Sequence, residues 1–119
     1  MVSSSDIRWL AGYLEGEGCF NTYLANKGKV KHRRSSGMLI RIVVTTTDQD
    51  VAVHAATVLG VVVHGPYNKN GPRGKKPVWT VSVDKQHEAA GWMMTLYPWM
   101  GRRRQAKIWE CLSEWKRRG

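Results

Sequence analysis

The chain has 119 residues, 42% of them hydrophobic, and carries 19 Lys and Arg against 9 Asp and Glu, for a formal net charge of +10. That length predicts one domain spanning 1–119, since folded domains commonly run to roughly 100–150 residues. Two cysteines, Cys19 and Cys111, are too few for a disulfide framework and match no zinc-ligand spacing, so a reducing compartment is expected. No apolar run approaches the ~20 residues of a membrane span. The opening Met1-Val2-Ser3-Ser4-Ser5-Asp6 has neither the basic nor the apolar segment of a signal peptide. An intracellular protein is expected, neither secreted nor membrane-bound, with a polyanion as partner.

In chain order, Ser3, Ser4, Ser5 and Asp6 supply N-cap chemistry, and Ile7, Leu10, Ala11 and Leu14 follow at helical spacing. Gly18 suits the left-handed position that ends a helix. From Cys19 the period becomes two, with Phe20, Thr22 and Leu24 on one face and Asn21 and Tyr23 on the other. A loop holding Lys27, Lys29, Lys31, Arg33 and Arg34 leads to a β-branched run, Met38 to Thr46, with Ile40, Ile42 and Val44 inward and Arg41 and Thr45 outward. Thr47 and Asp48 cap a helix that reaches Leu59 and stops at Gly60. Val61 to Tyr67 and Val78 to Val83 read as a second hairpin, around Lys69, Arg73, Lys75 and Lys76. A third helix covers about Gln86 to Leu96, and a fourth covers about Arg103 to Lys116, with Ile108, Leu112 and Trp115 on one face.

The predicted class is α+β, with each hairpin burying one sheet face under helices and leaving the other open. The open face then holds Asn21, Tyr23, Arg41, Thr45, Thr80 and Ser82, with the basic loops at its hairpin tips. Most of the cations fall in four acid-free stretches: the two hairpin loops, the run Arg102, Arg103, Arg104 and Lys107, and the end Lys116, Arg117 and Arg118. A solvated structural face mixes both signs, whereas one-sign blocks suit phosphates. A polar sheet rimmed by cations suits a nucleic-acid groove, where strands carry side chains to base edges. Trp79, Trp99, Trp109 and Trp115 are assigned to the core.

The stretch Leu10-Ala11-Gly12-Tyr13-Leu14-Glu15-Gly16-Glu17-Gly18 breaks the local rules for a helix. Each interior glycine costs roughly 1 kcal/mol against alanine. Two glutamates occupy a last turn where the macrodipole favours cations by ~0.3–1 kcal/mol each. Violations concentrated in one turn mark functional sites. Gly12 and Gly16 permit close approach of another backbone, either this chain's own sheet or the same helix of a second copy. In the second case two Glu17 carboxylates meet at a two-fold axis, where their repulsion calls for a hard divalent cation such as Mg2+.

Leu10 to Gly18, continued by Cys19-Phe20, resembles the LAGLIDADG motif of homing endonucleases almost position for position. Val44-Thr45-Thr46-Thr47-Asp48, Leu59-Gly60, and Leu96-Tyr97-Pro98-Trp99-Met100 with Arg102, Gln105 and Ala106 extend the resemblance over most of the chain. It implies an αββαββα fold with a saddle-shaped antiparallel sheet on double-stranded DNA, and a homodimer, because the chain holds one motif. It also implies Mg2+-dependent hydrolysis of both strands at a long, roughly palindromic site. Glu17 and the Gly16 carbonyl are then the metal ligands, and Arg8, Trp9, Gly12, Tyr13 and Gly16 the dimer interface. Glu15 belongs to helix-end hydrogen bonding.

Two positions depart from the family pattern. Arg102 stands where many members have a lysine and, unlike lysine, cannot donate a proton. Thr46 stands where glutamine is frequent and could still orient a water. Asn21, Tyr23, Arg41, Thr45, Tyr67, Thr80, Ser82 and Arg103, with the loop cations, are the expected DNA contacts. Competing readings of the same fold are an RNA-splicing maturase with intron RNA as partner and a DNA-binding protein without chemistry. A basic protein that coats nucleic acid without sequence preference is a third.

Overall fold

A computed structural model describes residues 2–24, 38–67 and 77–118. The expected loop contacts Lys27, Lys29, Lys31, Arg33, Arg34, Lys69, Arg73, Lys75 and Lys76 lie outside the described residues. The order is α1 (Ser4–Glu17), β1 (Gly18–Leu24), β2 (Met38–Thr46), α2 (Gln49–Leu59), β3 (Val63–Tyr67), β4 (Val78–Val83), α3 (Gln86–Leu96), a 3-10 turn (Tyr97–Trp99) and α4 (Arg102–Arg118). This is the expected α+β, αββαββα succession with a further helix. The third strand starts at Val63, two residues later than expected.

Helix α1 begins on a complete capping box. Ser3 Oγ accepts from the Asp6 N–H at 3.1 Å and the Asp6 carboxylate accepts from the Ser3 N–H at 3.3 Å. Burial of Leu10, Ala11 and Leu14 offsets the glycine cost, at about 1.5–3 kcal/mol for each large aliphatic side chain. The expected left-handed Gly18 is not found: its φ of −83° and ψ of 163° are extended, and it opens β1. Space favours glycine there, since a Cβ would lie 3.0 Å from both the Leu14 carbonyl oxygen and Leu14 Cβ, and 2.6 Å from Leu14 Cδ2. Gly60, with φ +77°, is the left-handed stop of α2.

The sheet runs β1-β2-β4-β3, antiparallel throughout. Ile40, Ile42, Val44, Val81, Val83 and Phe20 are buried on the face covered by helices, against Ala52, Ala55, Ala89, Met93, Leu96, Ile108 and Cys111. Strand β4 meets β2 only from Ile42 inward. At Ile40 the Gln86 side chain takes its place, accepting from the backbone N–H at 2.8 Å and donating to the carbonyl at 2.9 Å.

Two further expectations change. Asp48 is the N-cap of α2, but its carboxylate makes no capping bond; its N–H donates to Thr46 Oγ1 at 3.1 Å. Trp79 and Trp115 pack against the core, whereas Trp99 and Trp109 are exposed. Successive helical residues are rotated by about 100°, so the face that buries Ile108 and Cys111 turns Trp109 to solvent. Among the described residues no helix is long and apolar enough to cross a membrane.

Candidate active site and nucleic-acid surface

The end of α1 carries no basic residue of its own in the last turn, and α4 supplies one. Arg104 Nε donates to the Glu15 carbonyl at 3.0 Å and its Nη1 to the Gly18 carbonyl at 2.6 Å. In return, Glu15 Oε1 accepts from the Gly101 N–H at 2.8 Å, at the entry to α4. A cation therefore satisfies helix-end carbonyls and a carboxylate satisfies a helix-start donor, both favoured by the macrodipoles. Glu15 is thus committed to structure, in the helix-end hydrogen bonding expected of it. Arg104 is the residue sequence reasoning missed; the signal was a helix ending in two acids with no cation nearby.

Between the two clamped carbonyls sit Gly16 and Glu17, both exposed. Glu17 lines a cleft of about 470 Å³ together with Tyr13, Thr45, Thr46, Thr47, Asp48, Val51 and Val78. Glu17 and Thr46, expected to work together, share this cleft, and Asp48 joins them as a second carboxylate assigned by sequence only to capping. The Tyr13 hydroxyl oxygen is buried with no hydrogen-bond partner among the described residues. Arg102 is exposed at the first position of α4 and lies outside the residues lining this cleft. Arg103 lines a separate cleft of about 370 Å³ with Cys19, Asn21, Arg104 and Lys107.

The oxygen chemistry of Glu17 and of the last-turn carbonyls suits a hard divalent ion. Among the described residues no three His, Cys, Asp or Glu side chains gather in one chain. A single chain thus falls short of a full carboxylate cage, and the donor set fits Mg2+ if a second copy brings another Glu17.

The faces of α1 bear on that second copy. A Cβ built on Gly12 or Gly16 meets nothing within 4 Å among the described residues. The glycines therefore do not pack against this chain's own sheet. Arg8, Gly12 and Gly16 form an exposed stripe at helical spacing. Trp9 and Tyr13, grouped with them by sequence, are half-buried and turned toward α2: Trp9 stacks on His54 at 3.8 Å and on Tyr13 at 5.5 Å. Arg8 sits 5.2 Å from the exposed Trp99 ring, which borders the stripe.

The register of the sheet fixes which side chains share its open face. Asn21 pairs with Arg41, Thr45 with Thr80 and Thr80 with His64, Val43 with Cys19 and Ser82, and Tyr67 with Val78. The expected residues Asn21, Tyr23, Arg41, Thr45, Tyr67, Thr80 and Ser82 are therefore on one surface. His64, Cys19 and Val43 belong to it as well. Ser82 Oγ donates to Asp84 at 2.8 Å, and Arg41 lies 4.9 Å from the Tyr23 ring.

No family model and no curated protein matches the chain. Solved structures do. The homing endonuclease I-CvuI, in complex with a DNA target in the presence of 2 mM Mg and with the DNA not cleaved, is 17% identical, with a TM-score of 0.68 over 93% of this chain and 68% of that one. The group I intron-encoded homing endonuclease I-CeuI, complexed with DNA, is 16% identical, with a TM-score of 0.69 over 95% of this chain and 55% of that one. The LAGLIDADG homing endonuclease I-SmaMI, bound to cleaved DNA, is 18% identical, with a TM-score of 0.62 over 86% of this chain but 33% of that one.

Proposed function

On the premise that the chain has the LAGLIDADG homing-endonuclease fold, we propose that it is a site-specific DNA endonuclease working as a homodimer with a divalent metal such as Mg2+. The observation that carries the reading is the end of α1. An exposed Glu17 stands beside an exposed glycine stripe that nothing among the described residues fills. Two such stripes packed together set two Glu17 carboxylates across a two-fold axis.

In this reading the open sheet lies in the major groove of each half-site. Asn21, Tyr23, Arg41, Thr45, Thr80 and Ser82 face base edges, while Arg103 and the loop cations hold phosphates. Glu17 would hold the metal together with the Gly16 carbonyl. A divalent ion bound there supplies Lewis acidity to the phosphate and to the attacking water. Thr46, in the same cleft as Glu17, orients water. Arg102 supplies a fixed positive charge to the phosphate and, unable to give up a proton, plays no acid role. Arg104 and Glu15 keep the turn carrying Glu17 in place. One domain over 1–119 carries these parts, each chain supplying half of the site.

The neighbours support this reading, since those structures are DNA complexes, one of them with Mg present. This chain spans 55% of the I-CeuI chain and 33% of the I-SmaMI chain. A two-fold protein predicts a roughly palindromic target. Incubation with a randomised duplex library and Mg2+, followed by sequencing of the cut ends, tests the proposal. One palindromic site cut on both strands is expected. Binding with no Mg2+-dependent product would instead indicate a module without chemistry. Tighter capture of intron RNA than of duplex DNA would indicate a maturase.

A further inference from the structure

We propose that Arg41 is the principal base-reading residue of the sheet and that it reads a guanine in each half-site. The inference rests on the DNA-binding part of the proposed function and is independent of cutting. Four observations carry it.

First, Arg41 lies on the central strand β2, on the open face, and is half-buried rather than free in solvent. Second, its guanidinium is held 4.9 Å from the Tyr23 ring, a contact that restricts a side chain otherwise rich in rotamers. Third, among the described residues its buried Nε has no hydrogen-bond partner and no ion pair engages the residue. With no acceptor for this guanidinium among the described residues, its Nη nitrogens are left for an external one. Fourth, the strand beneath it is fixed on both edges, by β1 through the Asn21–Arg41 pairing and by the Gln86 side chain on Ile40.

The planar fork of arginine matches the O6 and N7 acceptors of guanine in the major groove, the commonest specific contact to a base. Lysine or a flexible arginine would serve a phosphate equally well; a stacked, half-buried arginine on a rigid strand suits a base edge. Position along the site follows from the register. Val44 pairs with Gly18, the residue after Glu17, and Arg41 is three positions further along β2. At about 3.3 Å per residue that is roughly 10 Å, close to three base steps of 3.4 Å. The guanine is therefore about three base pairs outward from the residues that flank the cut.

The test is a binding selection from a randomised duplex library without divalent metal, run on the wild-type chain, Arg41→Ala and Arg41→Gln. Anisotropy titrations then follow on the selected site and on its single-base variants. The wild type is expected to select one guanine per half-site and to prefer it by roughly 10–100-fold. Arg41→Ala should bring that preference within about two-fold and leave the other positions unchanged. Arg41→Gln should shift it toward adenine, whose N6 and N7 a glutamine pairs. A variant set that selects the same bases as the wild type at every position overturns the assignment while leaving the endonuclease reading intact. A wild type that selects no sequence at all overturns both.

Discussion

Replacing Gly12 and Gly16 by alanine separates the fold of one chain from the pairing of two. Gly12 lies mid-helix, and a Cβ there meets no atom of the described residues within 4 Å, so Gly12→Ala should gain nearly the full propensity difference, about 1 kcal/mol. Gly16, in the last turn, should gain about half of that. Together they raise the stability of a dissociated protomer by about 1–1.5 kcal/mol, or roughly 3–6 °C in Tm. Between two copies the same Cβ atoms enter a backbone-to-backbone contact, where overpacking costs about 1–3 kcal/mol. That corresponds to a dimer Kd raised by about 5–150-fold. Urea unfolding below the dimer Kd gives the first quantity, and sedimentation equilibrium over a dilution series gives the second. Opposite signs are expected. Destabilised protomers, or a dimer Kd unchanged by the double variant, would refute the reasoning.

Arg104→Ala should cost about 2–4 kcal/mol in unfolding free energy, because each hydrogen bond to a charged group contributes about 1.5–3 kcal/mol and this one is only half-buried. Arg104→Lys should recover about half by retaining the charge at the helix end, and a loss below about 0.5 kcal/mol for the alanine variant would show the clamp to be incidental. Burial pushes the Cys111 thiol up to about 11, with Lys107 opposing the rise, whereas an unfolded thiol titrates near 8.5. The neutral buried thiol therefore stabilises the fold fully below about pH 8.5, and that contribution fades as pH rises toward 11. The stability gap between wild type and Cys111→Val should change by roughly 3 kcal/mol over this window in urea titrations; a constant gap contradicts it.

Local chemistry was legible wherever the signal lay in neighbouring residues. The capping material at Ser3 and Asp6, the β-branched run Met38–Thr46 and the stop at Gly60 all appear as read. The motif helix was legible for the opposite reason, since its glycines and acids defy helix propensity. What escaped depends on partners distant in the chain. Arg104 meets Glu15 and Gly18 across 86 and more residues, and Gln86 meets Ile40 across 46, so neither contact leaves a periodic trace. Gly18 was misread because a glycine needed for space and one needed for a left-handed turn look alike in sequence. Trp109 was misread because aromatic content alone does not tell which side of α4 faces the sheet. The residues expected on the open face do share it, but His64, Cys19 and Val43 join them only through the register, which also fixes the pairing of Arg41 with Asn21.

The most direct measurement compares wild type and Glu17→Gln on the palindromic site selected from the library, with Mg2+ varied. Glu17 is exposed, so the isosteric amide should leave the fold and the DNA Kd within about two-fold. It removes a carboxylate charge from the metal ligand set, and cutting of both strands should fall by about 10²–10³-fold or more, on the scale of losing an electrostatic stabiliser of the transition state. Mg2+-dependent double-strand cutting by the pure Glu17→Gln protein at the wild-type rate would contradict the account.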